Sequence, residues 1–311
     1  MTKNFFRIYL ITLILGVLLI IYRAYYAVPM VYNFVEWKDG WAMGTELMDV
    51  NNIHSTACIT KKVDFFETDN ALFFRVKNLN VDVYIDEELV YTSQSLMPSN
   101  TRYKTPGTYF CTIPLDNVNN DTVIKLNIHC PYSSKSSCSI KNMYIGNELD
   151  IFKYQIYNML WGFSFCVVLE IIGLLFIVCY FLLKEYETLR YETLYMGTFS
   201  IVFGVWSCSE TKLLHLLTNN TVTLHLITGI FLLLLTTPIF LFFNYKYEMT
   251  GYKPIRIIGI SSTIAFLISI TLHMLSIADL HELIWVAHLV LVMAVVGLAV
   301  YAFKLYKINT E

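Results

Sequence analysis

The chain has 311 residues, 56% of them hydrophobic, with a formal net charge of -2 and a mean hydropathy of +0.54. That apolar share exceeds the roughly 45–50% of soluble domains, and the near-neutral charge leaves no basic footprint for nucleic acid. Once its apolar runs and one polar segment, 31–152, are assigned, no stretch is left for a cytoplasmic catalytic domain, which needs roughly 100–150 residues.

The chain begins with Lys3 and Arg7 ahead of an apolar run, Ile8–Tyr22. Such flanks suit a signal peptide or a signal anchor. Ala24 and Ala27 are three apart and make no A-x-A cleavage site, so residues 1–27 are read as an uncleaved anchor helix. Either way the segment that follows is expected to be exported.

From residue 31 to residue 152 the period becomes that of strands. Val81, Val83 and Ile85 alternate with Asp82, Tyr84 and Asp86, a half-buried strand, and Asp86-Glu87-Glu88 turns the chain into Leu89–Tyr91 as a hairpin. Ile124, Leu126, Ile128 and Cys130 repeat the alternation, and Pro106-Gly107, Pro114 and Asn117–Asp121 punctuate the turns. Several short strands at this spacing predict an all-β sandwich. Cys58, Cys111, Cys130 and Cys138 fall in it and allow three disulfide pairings, or remain free thiols buried in strands.

Residues 157–307 hold five apolar runs: Asn158–Leu183, Leu194–Leu217, Val222–Asn244, Ile257–Ile277 and Leu283–Phe303. Each has about the 20 residues that a helix needs to cross a bilayer, and unpaired backbone amides in lipid exclude strands of that length. With the N-terminus inside, Lys184, Arg190, Lys246, Lys253, Arg256, Lys304 and Lys307 all fall on the cytoplasmic side. Opposite them only Arg23 and Lys212 break the bias. The expected location is the cell membrane, multi-pass, with both termini cytoplasmic and residues 31–152 extracytoplasmic.

The stretches "ALFFRVKNLNVDVYIDEELVYTSQ", "TPGTYFCTIPL", "VIKLNIHCPYS" and "MYIGNE" resemble the jelly-roll ectodomain of bacterial sensors of the seven-transmembrane diverse intracellular signalling module type. "MGTFSIVFGVWSCSE" and "IADLHELIWVAH" are similar to the membrane part of that family. The resemblance implies a receptor of the kind found in front of diguanylate cyclases and histidine kinases. The family has seven helices where five runs follow the ectodomain here, and the chain reaches Glu311 where an effector domain would be expected.

No phosphate-binding loop, H-E-x-x-H pair or G-x-S-x-G elbow is present; Trp285 stands where a second ligand after His281-Glu282 would be. Neither an enzyme activity nor a cofactor or metal is expected. Glu170 lies near the middle of the first run of the block, so it should face the bundle interior, be protonated or have a partner. Glu210, His215, His225, His273, Asp279, His281, Glu282 and His288 all fall toward the outer helix ends, and a facing pair, Glu210 with His288, would be the core of a ligand pocket. The plainer reading is interfacial histidines bonded to loop carbonyls. Trp206 is a further pocket candidate, although it and Trp285 also suit an interfacial aromatic belt. In the β segment Trp37, Trp41, Tyr103 and Tyr109 could stack on a sugar, or pack the core.

The sequence therefore predicts a membrane α-helical bundle with an inserted all-β extracytoplasmic jelly-roll or β-sandwich domain. The function expected is a sensor for an extracellular small molecule or carbohydrate, acting through a cytoplasmic effector supplied in trans, with homo-oligomerisation compatible. A transporter or channel component is the alternative, and paired interrupted helices are missing for it; Pro238 and Glu170 are isolated.

Overall fold

A computed structural model describes residues 12, 15, 16, 19, 32–63, 70–97, 103–115, 118, 121–132, 138–246 and 253–310. The chain divides into a short N-terminal unit, Met1–Asn33, and a second unit, Phe34–Glu311. The expected anchor Ile8–Tyr22 lies outside the described residues except for Thr12, Leu15, Gly16 and Leu19, which are helical.

Alternating apolar residues in the polar segment need a second surface to cover them, and two antiparallel sheets cover one another. Strands β1 (Phe34–Glu36), β10 (Ser139–Asn147), β5 (Asn70–Lys77) and β8 (Thr108–Pro114) form one sheet in that order. The other runs β3 (Glu46–Met48), β2 (Trp41–Met43), β4 (Ala57–Lys62), β9 (Val123–His129), β6 (Asn80–Ile85) and β7 (Glu88–Thr92). Setting aside the β2–β3 hairpin, the remaining strands fall in the order first-eighth-third-sixth and second-seventh-fourth-fifth, the order of jelly-roll sandwiches. One core joins the sheets, with Leu72, Phe74, Val76, Ile140 and Met143 from the first against Ile59, Val81, Val83, Leu126 and Ile128 from the second. Among the described residues no two cysteines are joined in a disulfide.

The β6–β7 hairpin pairs Ile85 with Glu88 across a two-residue turn. Asp86 and Glu87 both have positive φ, 46° and 70°, the mirror-image turn whose twist matches that of the strands. Glycine is the usual residue there; here the Asp86 carboxylate accepts a hydrogen bond from the Val123 amide at 2.9 Å and ties the turn to β9. Strand β5 does not alternate. Ala71 and Phe73 on its outer face are as buried as Leu72 and Phe74 on its inner face. A strand covered on both sides shows a continuous apolar run, and the outer cover here is the helical block.

Strand β10 runs directly into helix α1 (Glu148–Leu182) without a linker. Asn147 caps it, its side-chain oxygen accepting from the Asp150 amide at 3.1 Å, and Glu148 and Asp150 place negative charge in the first turn. After α1 come α2 (Glu187–Glu210), α3 (Leu213–Leu217), α4 (Thr221–Leu234), α5 (Thr236–Lys246), α6 (Lys253–Met274) and α7 (Ile284–Thr310). Helices α4 and α5 make one span that breaks at Leu235. Pro238 has no amide proton to offer the carbonyl of Leu234, which is the local reason for the break.

Among the described residues four helices are long and apolar enough to cross a membrane: Glu148–Leu182, Thr221–Tyr245, Arg256–Met274 and Ile284–Tyr301. Their outer surfaces carry exposed apolar side chains, among them Phe165, Leu174, Ile264, Leu267, Val292 and Val295, as a lipid-facing surface requires. The fifth expected span, Leu194–Leu217, is not a single helix. It breaks at Lys212, and its main part, α2, falls short of the others in apolarity. Helix α2 is instead the helix that packs on α1, α4 and α5. Its small residues Thr193, Gly197, Ser200, Gly204 and Cys208 are buried and recur at helical spacing. A Cβ on Gly197 would come within 2.9 Å of the Gly173 carbonyl oxygen on α1, so the two backbones touch. Small residues that let backbones approach are how helices associate in lipid, and they lower the hydropathy of the segment that carries them. Hydroxyls add cross-links, Thr228 to Ser209 at 2.8 Å and Thr236 to Ser262.

Candidate functional site

The outer face of the β1-β10-β5-β8 sheet and the loops beside it meet the helix ends through polar side chains. Tyr132, just beyond β9, donates to Asp279 Oδ2 at 2.6 Å, and both residues are buried. Lys104 pairs with Glu282 at 2.5 Å. The Asn78 amide lies 3.3 Å from His281 Nε2. The ring of Tyr103 sits 4.6 Å from that of His273 on α6 and 5.5 Å from that of His225 on α4. Gly107, at φ +81°, brings its backbone so close to His225 that a Cβ there would meet the ring at 2.7 Å.

The turn before α7 presents these partners because of a local motif. Glu282 accepts from the Asp279 amide at 3.0 Å, and Asp279 Oδ1 accepts from the His281 amide at 3.4 Å, which closes the turn on itself. Each carboxylate thus uses one oxygen to hold the turn and the other to hold the sandwich. A charge-assisted bond of this kind is worth about 1.5–3 kcal/mol. The double variant Tyr132→Phe with Asp279→Asn is therefore expected to lose less stability than the two single losses added, with a coupling of at least about 1 kcal/mol. Thermal unfolding in detergent measures it, and additive losses would show that the bond contributes nothing.

Burial holds His281 below its ordinary value of about 6.5. Asp279 opposes that shift, Lys77 adds to it and Glu282 opposes it. The His225 ring is 6.0 Å away and the Tyr132 ring 4.8 Å. The unfolded chain takes up this proton more readily than the folded one. The stabilising contribution is whole above about pH 6.5 and declines as pH falls below it toward the folded value. The melting temperature should fall on acidification through that window, and less steeply in His281→Gln. Identical slopes would exclude His281 as the group responsible.

Beside this contact lies a cavity of about 560 Å³, walled by Arg75, Lys77, Thr108, Asn142 and Tyr144 from the sheet, Tyr154, Gln155, Asn158 and Met159 from α1, and Glu210, Thr211 and Lys212 from the end of α2. Two wall residues have strained backbones. Asn142 (φ 56°) sits where the β10–β5 register shifts between Lys141 and Tyr144, and Lys212 (φ 67°) sits in the break between α2 and α3. A bulge re-aims a side chain, and non-glycine residues in the left-handed region concentrate at functional sites. Lys212 is 3.3 Å from Glu210; its side chain is 15% exposed against 46% for Glu210, so the ammonium is the deeper of the two. Among the described residues neither Arg75 nor Lys77 has a carboxylate within 4 Å, and Glu210 acts on Arg75 from farther away. Burial lowers the pKa of both Arg75 and Lys212. Burial, then Tyr154, pushes the Tyr144 phenol up to about 12, so it remains a hydrogen-bond donor.

The residues singled out from the sequence separate into five places. His225, His273, Asp279, His281 and Glu282 gather at the junction. Glu210 lines the cavity with Lys212 as partner, while His288 is exposed on α7. The expected buried pair of Glu210 with His288 is therefore not formed: each stands at an exposed position, and the nearest opposite charge to Glu210 is two residues along its own chain. Trp206 packs beside Leu232 and Leu280, and the Cγ of Glu170 lies 2.8 Å from where a Cβ on Gly204 would be, so Glu170 faces α2. Trp41 and Tyr109 are fully buried in the sandwich, where Trp41 donates to the Trp37 carbonyl at 3.0 Å and Tyr109 to that of Leu79 at 3.1 Å. Trp37 packs on the same core with Lys61 Nζ 4.3 Å from its ring centre. Neither buried ring offers a face to a sugar. Among the described residues no group of three His, Cys, Asp or Glu side chains could hold a metal ion.

Sequence reasoning missed Arg75, Lys77, Asn142, Tyr144 and Tyr154. The signal was present in "ALFFRVKN", where two cations stand on one face of a strand that is otherwise apolar on both faces. No family model matches the chain, and no curated protein is significantly similar to it.

Proposed function

We propose that the chain is a membrane sensor whose β-sandwich lies outside the cell and reports ligand occupancy to the helical block. The observation that carries this reading is the shared cavity, since its walls come from β5, β8 and β10 on one side and from α1 and the α2–α3 break on the other. A ligand shifts an equilibrium only by contacting two arrangements differently. A ligand held between sheet and helices does so when either moves. Strand β10 continues into α1 without a flexible linker, so a displacement at the cavity is passed along a rigid helix of 35 residues. The resemblance of the strand and helix motifs to bacterial sensor modules points the same way, with a cytoplasmic partner receiving the output.

Filling the cavity should act as a permanent ligand. With spin labels at Lys184 and Asn244, Asn158→Trp is expected to change the distance distribution between the far ends of α1 and α5, whereas a tryptophan at the exposed Glu88 of β7 should not. Identical distributions in wild type and Asn158→Trp would remove the sensor reading.

A further inference from the structure

The charges around the cavity define what it takes. Three cations, Arg75, Lys77 and Lys212, face one carboxylate, Glu210, which leaves a formal excess of two positive charges. Glu210 acts on Arg75 as well as on Lys212, so one carboxylate is shared among three cations, and partly buried charge of that excess is unfavourable unless an anion completes it. The planar fork of arginine matches two oxygens of a carboxylate or phosphate, and the lysines supply point charges. Asn142, Gln155 and Asn158 bring amide donors, and Tyr144 a phenol. The volume suits a small organic molecule rather than a bare ion.

We infer that the junction cavity binds an oxyanion, a carboxylate or phosphate group held by Arg75 and Lys212, and that Lys77 at the mouth draws it in. The assignment rests on the sensor reading only for its consequence; the binding itself stands on the cavity. One chemistry has two sources here, a free small anion and the phosphate of a lipid headgroup, because the cavity lies at the outer ends of membrane helices.

The test uses the full chain in an uncharged detergent. Thermal unfolding is followed with sodium phosphate or sodium succinate against sodium chloride at matched ionic strength, and in mixed micelles containing phosphatidylglycerol or phosphatidylcholine. A saturable rise in melting temperature is expected with the soluble anions, or with phosphatidylglycerol alone if the headgroup is the source. The rise should vanish in Arg75→Gln, return in part in Arg75→Lys, and be unchanged in Lys125→Gln, which alters a cation elsewhere on the sandwich. Lys212→Gln gives the same comparison from the helix side should Arg75→Gln fail to fold. No rise with either source, or an equal rise in wild type and in the cavity variant, overturns the inference. Anion binding with unmoved helix ends in Asn158→Trp would leave the site standing and the sensor reading fallen; moved ends without anion binding would do the reverse.

Discussion

Replacing Trp41 with alanine is expected to destabilise the sandwich by about 3–5 kcal/mol, the largest single effect among the side chains considered. The indole is fully buried between the sheets, and it bonds through Nε1 to the Trp37 carbonyl. Truncation removes its apolar contacts, opens a cavity that the two hydrogen-bonded sheets cannot close, and leaves the Trp37 carbonyl without that donor. Trp41→Phe should lose less, because most of the ring volume is kept. Denaturant titration of the full chain, followed by the near-ultraviolet signal of the sandwich, reads the difference. A loss below about 1 kcal/mol would mean that Trp41 is not core, and would return it to the candidates for ligand stacking.

Leucine at Gly173 is expected to separate α1 from α2. A Cβ at that position would lie 3.0 Å from the Gly197 carbonyl oxygen and 2.7 Å from Ile201, and the obstacle is partly backbone, which cannot rotate away. Overpacking costs about 1–3 kcal/mol where side chains can yield, and more is expected where they cannot. Gly173→Ala should be milder, though still unfavourable, since the same Cβ contact remains. The consequence reaches the junction, because α1 and the end of α2 together wall the cavity. Thermal unfolding in detergent should show Gly173→Leu well below Gly173→Ala, and Gly173→Ala below wild type. A Gly173→Ala melting temperature equal to that of wild type would contradict the close backbone contact.

How far the sequence discloses this arrangement depends on whether an element's neighbours are local. The β6–β7 hairpin was legible because its pattern and its turn lie within a few residues, and β9 because Ile124, Leu126 and Ile128 face a core while their neighbours face outward. Strand β5 hid its outer face, since burial on both sides erases the alternation. The run Leu194–Leu217 was read as one span; the break at Lys212 and the buried small residues of α2 answer to contacts with α1, α4 and α5 that no hydropathy pattern shows. At the junction the sequence pointed to the histidines and carboxylates on the helix side and not to what they touch. Tyr132 and Asp279 are 147 residues apart, Lys104 and Glu282 178, and Asn78 and His281 203. No periodicity spans such separations, and only the folded chain brings the partners together.

The Tyr132–Asp279 and Lys104–Glu282 bonds tie the sandwich to the helices, so that loosening one side of the junction loosens the other. Native-state hydrogen exchange of the full chain, wild type against Asp279→Asn, tests it most directly, because breaking a shared contact must loosen both sides of it. Protection is expected to fall together in Thr108–Phe110 at the start of β8 and in Ile284–His288 at the start of α7. Loss confined to the turn around Asp279, with β8 unchanged, would show that the sandwich is merely tethered to the helices and not coupled to them.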